Sequence, residues 1–205
     1  MTTKRVFIYV DGFNLYHALD ELGESHLKWV NLWALSEKLL PNDGSETLVQ
    51  VKYFSAYATW RENSYRRHQR YVDALEAHGV TKVMGRFKEK RNRCRACGSQ
   101  YISHEEKETD VNIGAHLMAD ALQDRFDRAI VVSADTDLNG VVDLVRKEAG
   151  NKIIHIAAPP GRRTHNRAAT FAISRTKVAG SLLPERCTST DGREIVRPVA
   201  YHPPR

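Results

Sequence analysis

Short apolar segments alternate with helical patterns along most of this 205-residue chain. These segments are rich in β-branched residues and have the length of buried strands. They cover residues 6–10, 48–54, 80–84, 129–133 and 152–156. Strands that alternate with helices form right-handed βαβ units and a mainly parallel sheet. The sequence therefore predicts an α/β fold with a mainly parallel central sheet flanked by helices.

The length corresponds to one domain with additions, at roughly 150 residues per domain. We predict that this domain covers residues 1–183 and contains an irregular, basic insertion at about 86–108, around two cysteines. Pro, Arg and Ser/Thr are frequent after residue 184. This composition predicts a basic tail or a loosely packed hairpin at 184–205.

Four aspartates fall where the predicted strands end or a helix begins. Asp11 follows the first strand, Asp135 and Asp137 follow the strand at 129–133, and Asp110 lies in the first turn of a predicted long helix. The carboxyl ends of parallel strands share one edge of the sheet, and we expect the four carboxylates to converge there. Neighbouring carboxylates repel one another unless a cation is present, and Mg²⁺ or Mn²⁺ prefers such oxygen ligands.

Each of these polar residues also has a purely structural explanation. Aspartate is a preferred capping residue at helix N-termini, and Asp110, Asp135 and Asp137 all lie at such positions. Asp11 is harder to explain in this way, because aspartate is depleted next to an apolar central strand. Asn14 could orient Asp11 or a metal-bound water, or it could be an ordinary polar residue in the first turn of a helix.

Four segments resemble the motifs of NYN-domain proteins, a branch of the PIN-like ribonuclease superfamily. They occur in the same order as in that family and span roughly residues 4–183. The segments are Tyr9-Val-Asp-Gly-Phe-Asn-Leu-Tyr16, Glu106-Lys-Glu-Thr-Asp-Val111, Ser133-Ala-Asp-Thr-Asp137 and Ala157-Ala-Pro-Pro-Gly161. The sequence departs from the family at Ala134, where glycine is usual. This small change should have little effect on ligand geometry.

The resemblance implies a Rossmann-like PIN fold and a metal-dependent site that cleaves RNA. By motif position, the residues that bind Mg²⁺ or Mn²⁺ would be Asp11, Asp110, Asp135 and Asp137. Asn14 and Ser133 would be supporting polar groups of the same catalytic site. The resemblance leaves the choice between RNA and DNA open, because some PIN-like relatives act on DNA.

The net charge of +6 is unevenly distributed, since residues 61–95 and 161–205 are basic and the remainder is acidic. A polyanion held by basic segments and processed by an acidic body is one explanation for such a pattern. The nucleic-acid-binding candidates are Arg61, Arg66, Arg67, Arg70, Arg162 and Arg163. In the first segment, Trp60, Tyr65 and Tyr71 accompany the arginines, as in proteins that bind single-stranded nucleic acid. The alternative is a solvated amphipathic helix whose tyrosines are buried in the core.

Two cysteines have the spacing of half a zinc site. Cys94 and Cys97 form a Cys-x-x-Cys motif, and a closed zinc site needs two further ligands. These could come from His104, from the distant Cys187 or from a second subunit, which makes a homodimer a candidate. Two thiols without a metal are the alternative.

Composition also excludes several classes of protein. No segment approaches the roughly 18 consecutive apolar residues of a membrane-spanning helix. The first residues run directly into a strand without a signal peptide, so secretion is not expected. Three cysteines are too few for a disulfide framework, which favours a reducing, cytoplasmic location.

The leading hypothesis is a metal-dependent endoribonuclease that cuts single-stranded RNA and leaves 5′-phosphate and 3′-hydroxyl ends. A second is an RNA-binding or recruitment module that retains the acidic pocket without useful turnover. A third is a different Mg²⁺ enzyme, such as a phosphatase. The haloacid-dehalogenase type of phosphatase is disfavoured, because Phe13 stands where its second aspartate is required.

Overall fold

A seven-stranded sheet forms the centre of the protein, which the computed structural model describes over residues 3–204. Its strands follow the order β4-β3-β2-β1-β5-β6-β7, and every neighbouring pair is parallel except β3 and β4. The strands are β1 Lys4–Asp11, β2 Glu46–Ala56, β3 Thr81–Arg93, β4 Gln100–Lys107, β5 Arg128–Val132, β6 Ile153–Ala158 and β7 Phe171–Ala172. The predicted α/β fold with a mainly parallel sheet is confirmed.

Helices cover both faces of the sheet. They are α1 Gly12–Glu21, α2 Leu32–Glu37, α3 Glu62–Ala77, α4 Thr109–Leu122, α5 Leu138–Glu148 and α6 Arg175–Ala179, with 3-10 turns at Ser25–Trp29 and Val199–Tyr201. Residues 6, 8 and 10 of β1 join one core with α1, α2 and α3. Residues 7 and 9 join a second core with α4 and α5. The apolar run of β1 is continuous because both of its faces are buried.

The segment 86–108 is a regular antiparallel hairpin, and the expectation of irregular structure there is wrong. Strand β3 continues past the end of β2, and β4 returns beside it, pairing from Arg86–Lys107 to Arg93–Gln100. Most of these side chains are exposed or only partly buried, so no alternation of apolar residues marks the strands in the sequence. The backbone ladder and cross-strand ion pairs such as Lys90–Glu105, at 2.7 Å, hold the hairpin instead.

The C-terminal segment also forms a hairpin, from β8 Arg186–Thr188 and β9 Glu194–Val196. It is docked on the body, since Ile195 is buried in the core shared by α1, α2 and α3. The indole N–H of Trp29 donates a 2.9 Å hydrogen bond to the carbonyl oxygen of Pro184 and fixes the approach to this hairpin. Between residues 3 and 204, no helix has both the length and the hydrophobicity to cross a membrane.

Candidate active-site cleft

A cleft of about 720 Å³ opens at the carboxyl edge of the sheet, where β1 ends and α1 and α4 begin. Asp11, Asp110 and Asp135 line it together with Asn14. The parallel topology explains this arrangement, because β1 and β5 are neighbours and their carboxyl ends meet. Three of the four predicted carboxylates therefore share one cleft.

Asp11 is the most buried of these acids, with 4% of its surface exposed. One carboxylate oxygen accepts the backbone N–H of Asn14 at 3.0 Å and so caps α1. The other accepts the hydroxyl of Ser133 at 2.8 Å. Burial raises the pKa of Asp11 to about 6; the hydrogen bonds from Asn14 and Ser133 oppose this increase, and the negative charges of Asp110 and Asp135 add to it.

Hydrogen bonds connect the end of β1 to the loop after β5. The side-chain oxygen of Asn14 accepts the backbone N–H of Ala134 at 2.9 Å. The Ser133 hydroxyl oxygen accepts the N–H of Asp135 at 3.0 Å, and a carboxylate oxygen of Asp135 accepts the N–H of Asp137 at 2.9 Å. Asn14 and Ser133 thus hold the loop that carries Asp135.

Asp110 lies in the first turn of α4, and its side chain is not the capping group of that helix. Partial burial in the cleft raises the pKa of its carboxyl group, and the charge of Asp135 raises it further. Glu106 and Asp137 add to the same effect. The capping explanation does not account for Asp137 either, which makes no capping hydrogen bond to α5. Asp137 lies outside the lining of the cleft, although its charge acts on Asp110.

Glu106 is an acid of the cleft that the sequence analysis did not assign. It lies at the end of β4, lines the cleft and accepts a hydrogen bond from the backbone N–H of Thr109 at 3.1 Å. The Thr109 hydroxyl donates to the same oxygen. Between them, Glu108 has a left-handed backbone with φ of 80°, a conformation rare for residues with a side chain. This sharp turn starts α4 directly at the cleft.

The acidic cluster consists of Asp11, Glu106, Asp110 and Asp135. Among residues 3–204, none of these four carboxylates forms an ion pair with a basic side chain. Their oxygen donors and mutual repulsion suit a hard divalent cation. In the described part of the chain, no three His, Cys, Asp or Glu side chains are arranged to enclose a metal ion. The residues therefore fit Mg²⁺ held by one or two carboxylates with water and phosphate oxygens completing its shell.

The sequence matches the model of the NYN domain over residues 5–174, which is most of its length. The chain belongs to the NYN-domain family. This family is part of the PIN-like nuclease superfamily, and the family resemblance predicted from the motifs is confirmed. The fold and the cleft described above are those of this NYN domain.

This NYN domain is similar in sequence to one protein and in fold to another. The first is the 6-hydroxy-3-succinoylpyridine 3-monooxygenase HspA of Pseudomonas putida, which is 25% identical over an alignment of 200 residues. The alignment covers 80% of this chain and 62% of that protein. The match thus spans less than two thirds of the relative's length. The other is the crystal structure of a protein of unknown function from Vibrio parahaemolyticus, with a TM-score of 0.52 and 20% identity. The structural match covers 84% of this chain and 93% of the Vibrio chain, and this likeness shows the fold alone.

Three of the six predicted nucleic-acid-binding arginines line the cleft of the NYN domain. They are Arg61 and Arg67, at the start of α3, and Arg162, which also pairs with Glu21. Two others, Arg66 and Arg70, lie outside the cleft around a shallow depression beside Val199. Arg163 is not part of either lining and donates a 3.3 Å hydrogen bond to a backbone carbonyl in its own loop.

An aromatic stack forms another wall of the cleft. The rings of Trp60 and His104 are parallel with centroids 3.6 Å apart, and Phe87 meets the Trp60 ring edge-on at 4.6 Å. Trp60 remains 38% exposed. Of the other aromatic residues predicted to stack on bases, Tyr71 is buried and donates its hydroxyl to the carbonyl of Val30, as the core alternative predicted. Tyr65 does not line the cleft.

Asn166 is a second residue that the sequence analysis did not identify. Its side chain is fully buried, and its amide donates to the backbone carbonyl of Asp135 at 3.1 Å and to the Asn139 side chain at 2.9 Å. It therefore supports the loop of Asp135 in addition to Ser133. No sequence signal distinguishes it, because a lone asparagine in a loop is ordinary.

The predicted zinc ligands lie far from the acidic cluster, at the tip of the β3–β4 hairpin. Cys94 is partly buried and Cys97 is exposed. The Cys97 sulfur lies 3.0 Å from the Ser99 hydroxyl, and this hydrogen bond lowers the pKa of Cys97 to about 7. The Cys94 thiol contributes to the same decrease in the pKa of Cys97.

Proposed function

We propose that this NYN domain is a metal-dependent endoribonuclease that hydrolyses single-stranded RNA to 5′-phosphate and 3′-hydroxyl ends. The observation that carries the proposal is the acidic cluster, whose carboxylates face an open cleft without a basic partner among the described residues. Mutual repulsion makes a cluster of this kind unfavourable unless a cation binds to it. Such a cation would also bind the phosphate of the substrate.

One or two of the carboxylates of Asp11, Asp110 and Asp135 would hold Mg²⁺ or Mn²⁺, and the remaining acids, with Glu106 and Asp137, would add negative charge around it. The bound ion would activate water and stabilise the charge that develops on the phosphate during in-line displacement. Ser133 and Asn14 orient Asp11 and the Asp135 loop through the hydrogen bonds described above. This orientation matters because small displacements of catalytic groups strongly slow a reaction.

The walls of the cleft suit single-stranded RNA. Arg61, Arg67 and Arg162 line the cleft, and their guanidinium groups are of the kind that binds phosphate in a bidentate manner. Trp60 is partly exposed at the cleft, and its uncovered ring surface suits stacking of an unpaired base, whereas bases inside a duplex are not free to stack there. We therefore expect single-stranded RNA to be cut faster than double-stranded RNA.

The test uses end-labelled single-stranded RNA, double-stranded RNA and single-stranded DNA with Mg²⁺, Mn²⁺ or a chelator. The wild-type chain should cut single-stranded RNA only with metal, and Asp135→Asn should abolish the cleavage. Asp143→Asn is the matched control, because Asp143 is an exposed acid on α5 that pairs with Arg146. Equal cleavage by the wild type and Asp135→Asn would contradict the proposal and point to a contaminating nuclease.

A second candidate is an RNA-binding module without turnover. It is favoured by one observation, that no three potential ligands within residues 3–204 enclose a metal site. Salt-dependent RNA binding that Asp11→Asn leaves unchanged, with no cleavage in any metal, would support it. Because the Pseudomonas relative is named a 6-hydroxy-3-succinoylpyridine 3-monooxygenase, a further control incubates this chain with 6-hydroxy-3-succinoylpyridine, oxygen and a reductant. Turnover of that compound would contradict both candidate functions.

A further inference from the structure

The tip of the β3–β4 hairpin has the local geometry of a metal-binding knuckle. The N–H of Gly98 donates to the carbonyl of Cys94 at 2.9 Å, and the N–H of Cys94 donates to the carbonyl of Ser99 at 2.8 Å. Gly98 has a φ of +74°, which closes the turn behind the second cysteine. The guanidinium of Arg93 donates to the Gly98 carbonyl at 3.1 Å and fixes the turn further. The two thiols are therefore presented together on an ordered turn.

The chain does not complete this site by itself. His104 pairs with Glu89 across the hairpin, five residues before Cys94, and so lies roughly 16 Å away along the strand. Zinc ligands must all lie within about 2.3 Å of the ion, which excludes His104. Cys187, the third cysteine of the sequence, lies on β8 and packs against the core next to α3. In the described part of the chain no third ligand is near, and two of the three sources considered in the sequence analysis are excluded.

The surface beside the knuckle is suited to a second copy of the chain. Strand β4 forms the outer edge of the sheet, and its residues Tyr101 and Ile102 are 54% and 56% exposed. Large apolar side chains on an unpaired edge strand favour association with another chain. Arg93 and Arg95 lie on either side of Cys94, and their positive charges would offset the double negative charge of a zinc ion bound by four thiolates.

We propose that two copies of this chain share one structural Zn²⁺ at their hairpin tips, each contributing Cys94 and Cys97. Two identical pairs supply the four thiolates of a closed tetrahedral zinc site, and a two-fold axis through the ion makes the contact symmetric. Tyr101 and Ile102 are covered in this dimer. The proposal does not depend on nuclease activity, because the tip is separate from the acidic cluster.

The test measures zinc content by elemental analysis and molar mass by light scattering, on the full chain purified under reducing conditions. We expect one zinc per two chains and the mass of a dimer, and a chelator should remove the zinc and give a monomer. Cys97→Ser should be monomeric and zinc-free. Cys187→Ser is the matched control and should remain a zinc-bound dimer, while circular dichroism confirms that both variants fold.

Four results would overturn the proposal. They are one zinc per chain, a chain without zinc after zinc is added, a Cys97→Ser variant that still binds zinc or dimerises, and a Cys94–Cys97 disulfide in the protein as purified. Substitution of Co²⁺ for zinc gives an independent readout, because four thiolates around cobalt produce an intense sulfur-to-metal charge-transfer absorption. A cobalt spectrum of nitrogen or oxygen ligands would also contradict the shared site.

Discussion

The two edges of the central sheet hold their acidic side chains in opposite ways. At the amino edge, two acids that precede β5 have basic partners: Asp127 pairs with Arg5 at 2.8 Å, and Asp124 pairs with Lys152. The hydrogen bond from Arg5 lowers the pKa of Asp127 to about 2. At the carboxyl edge, burial raises the pKa of Asp11 to about 6, and it raises the pKa of Asp110 as well.

Helix α4 shows the same contrast within one element. Asp110 in its first turn faces the cleft without a basic partner among the described residues, whereas Asp120 near its end is buried against Lys52, Arg125 and the Tyr9 hydroxyl. The two aspartates are ten residues apart, or roughly 15 Å along the helix. The chain is therefore able to neutralise its own acids, and at the cleft it does not. We infer that the missing positive charge is to come from outside the protein.

The largest expected effect is on stability and concerns the acids that have a basic partner. Asp120→Ala leaves Lys52 buried without a partner, and should lower the free energy of unfolding by about 3–5 kcal/mol. Chemical denaturation measures this loss, while cleavage activity per folded molecule should remain. The control Asp143→Ala removes an exposed pair and should cost less than about 1 kcal/mol. A loss of activity at full stability would contradict the division between the two edges.

The next effect is on RNA cleavage and concerns the acids of the acidic cluster. Asp110→Asn keeps the shape of the side chain and removes its charge, and we expect RNA cleavage to fall at least about 100-fold, or about 2.7 kcal/mol in the barrier. The thermal transition should not fall, because no ion pair is lost and the repulsion between Asp110 and Asp135 is removed. Glu108→Gln is the matched control, since Glu108 is a neighbouring acid that pairs with Arg86. Equal losses in both variants would show that the position of the charge does not matter.

The pH dependence of stability should have opposite signs at the two edges. The pKa of Asp11 is about 6 in the folded protein and 3.8 ordinarily, so without metal its contribution to stability is lost as the pH rises through about 6. Asp11→Asn should therefore be more stable than the wild type by about 3 kcal/mol near pH 7 and equal near pH 4. Urea denaturation in a chelator measures this difference.

Asp127→Asn provides the opposite case. Its folded pKa is about 2, below the ordinary value of 3.8, so its contribution is present above about pH 4 and is lost as the pH falls. The variant should be less stable than the wild type near pH 7 and should approach it near pH 2. If both variants change stability in the same direction near pH 7, the contrast between the edges is wrong.

The smallest effect concerns the wall of the cleft. Trp60→Ala should weaken binding of single-stranded RNA about 10-fold, because one stacked base contributes about 1–3 kcal/mol. Trp60→Phe should retain most of the affinity, and neither variant should change the salt dependence, since no charge is lost. Fluorescence anisotropy with labelled RNA measures both quantities. Unchanged affinity in Trp60→Ala would show that the exposed ring does not contact bases.

The sequence predicts the elements whose residues are selected by burial. The strand at 6–10 is recognisable because every side chain is buried on one face or the other, and this topology places Asp11 beside Ser133. The hairpin of β3 and β4 has no such signal, because its side chains are largely solvated and its order comes from backbone pairing. A pattern based on hydrophobic periodicity misses strands of this kind.

The residues missed at the cleft depend on contacts distant in sequence. The sequence analysis names Trp60 as a base-stacking candidate and His104 as a possible zinc ligand, but their stacking across 44 positions of the chain has no sequence signal. Glu106 opens the second family motif, but it lies in a run of charged residues and the sequence analysis gives it no role; its place at the end of β4 brings it to the cleft. Sequence motifs identified the aspartates because they occur next to predicted strand and helix ends.

The central position of β1 has a consequence for synthesis of the protein. β1 emerges before both of its neighbours, β2 and β5, and the hydrogen bond between Ser133 and Asp11 joins residues 122 positions apart. A growing chain on the ribosome therefore has no assembled acidic cluster until β5 has been translated and inserted. Contacts of such sequence separation form late in folding. Under the proposed function, the nascent chain has no nuclease activity before β5 has left the ribosome.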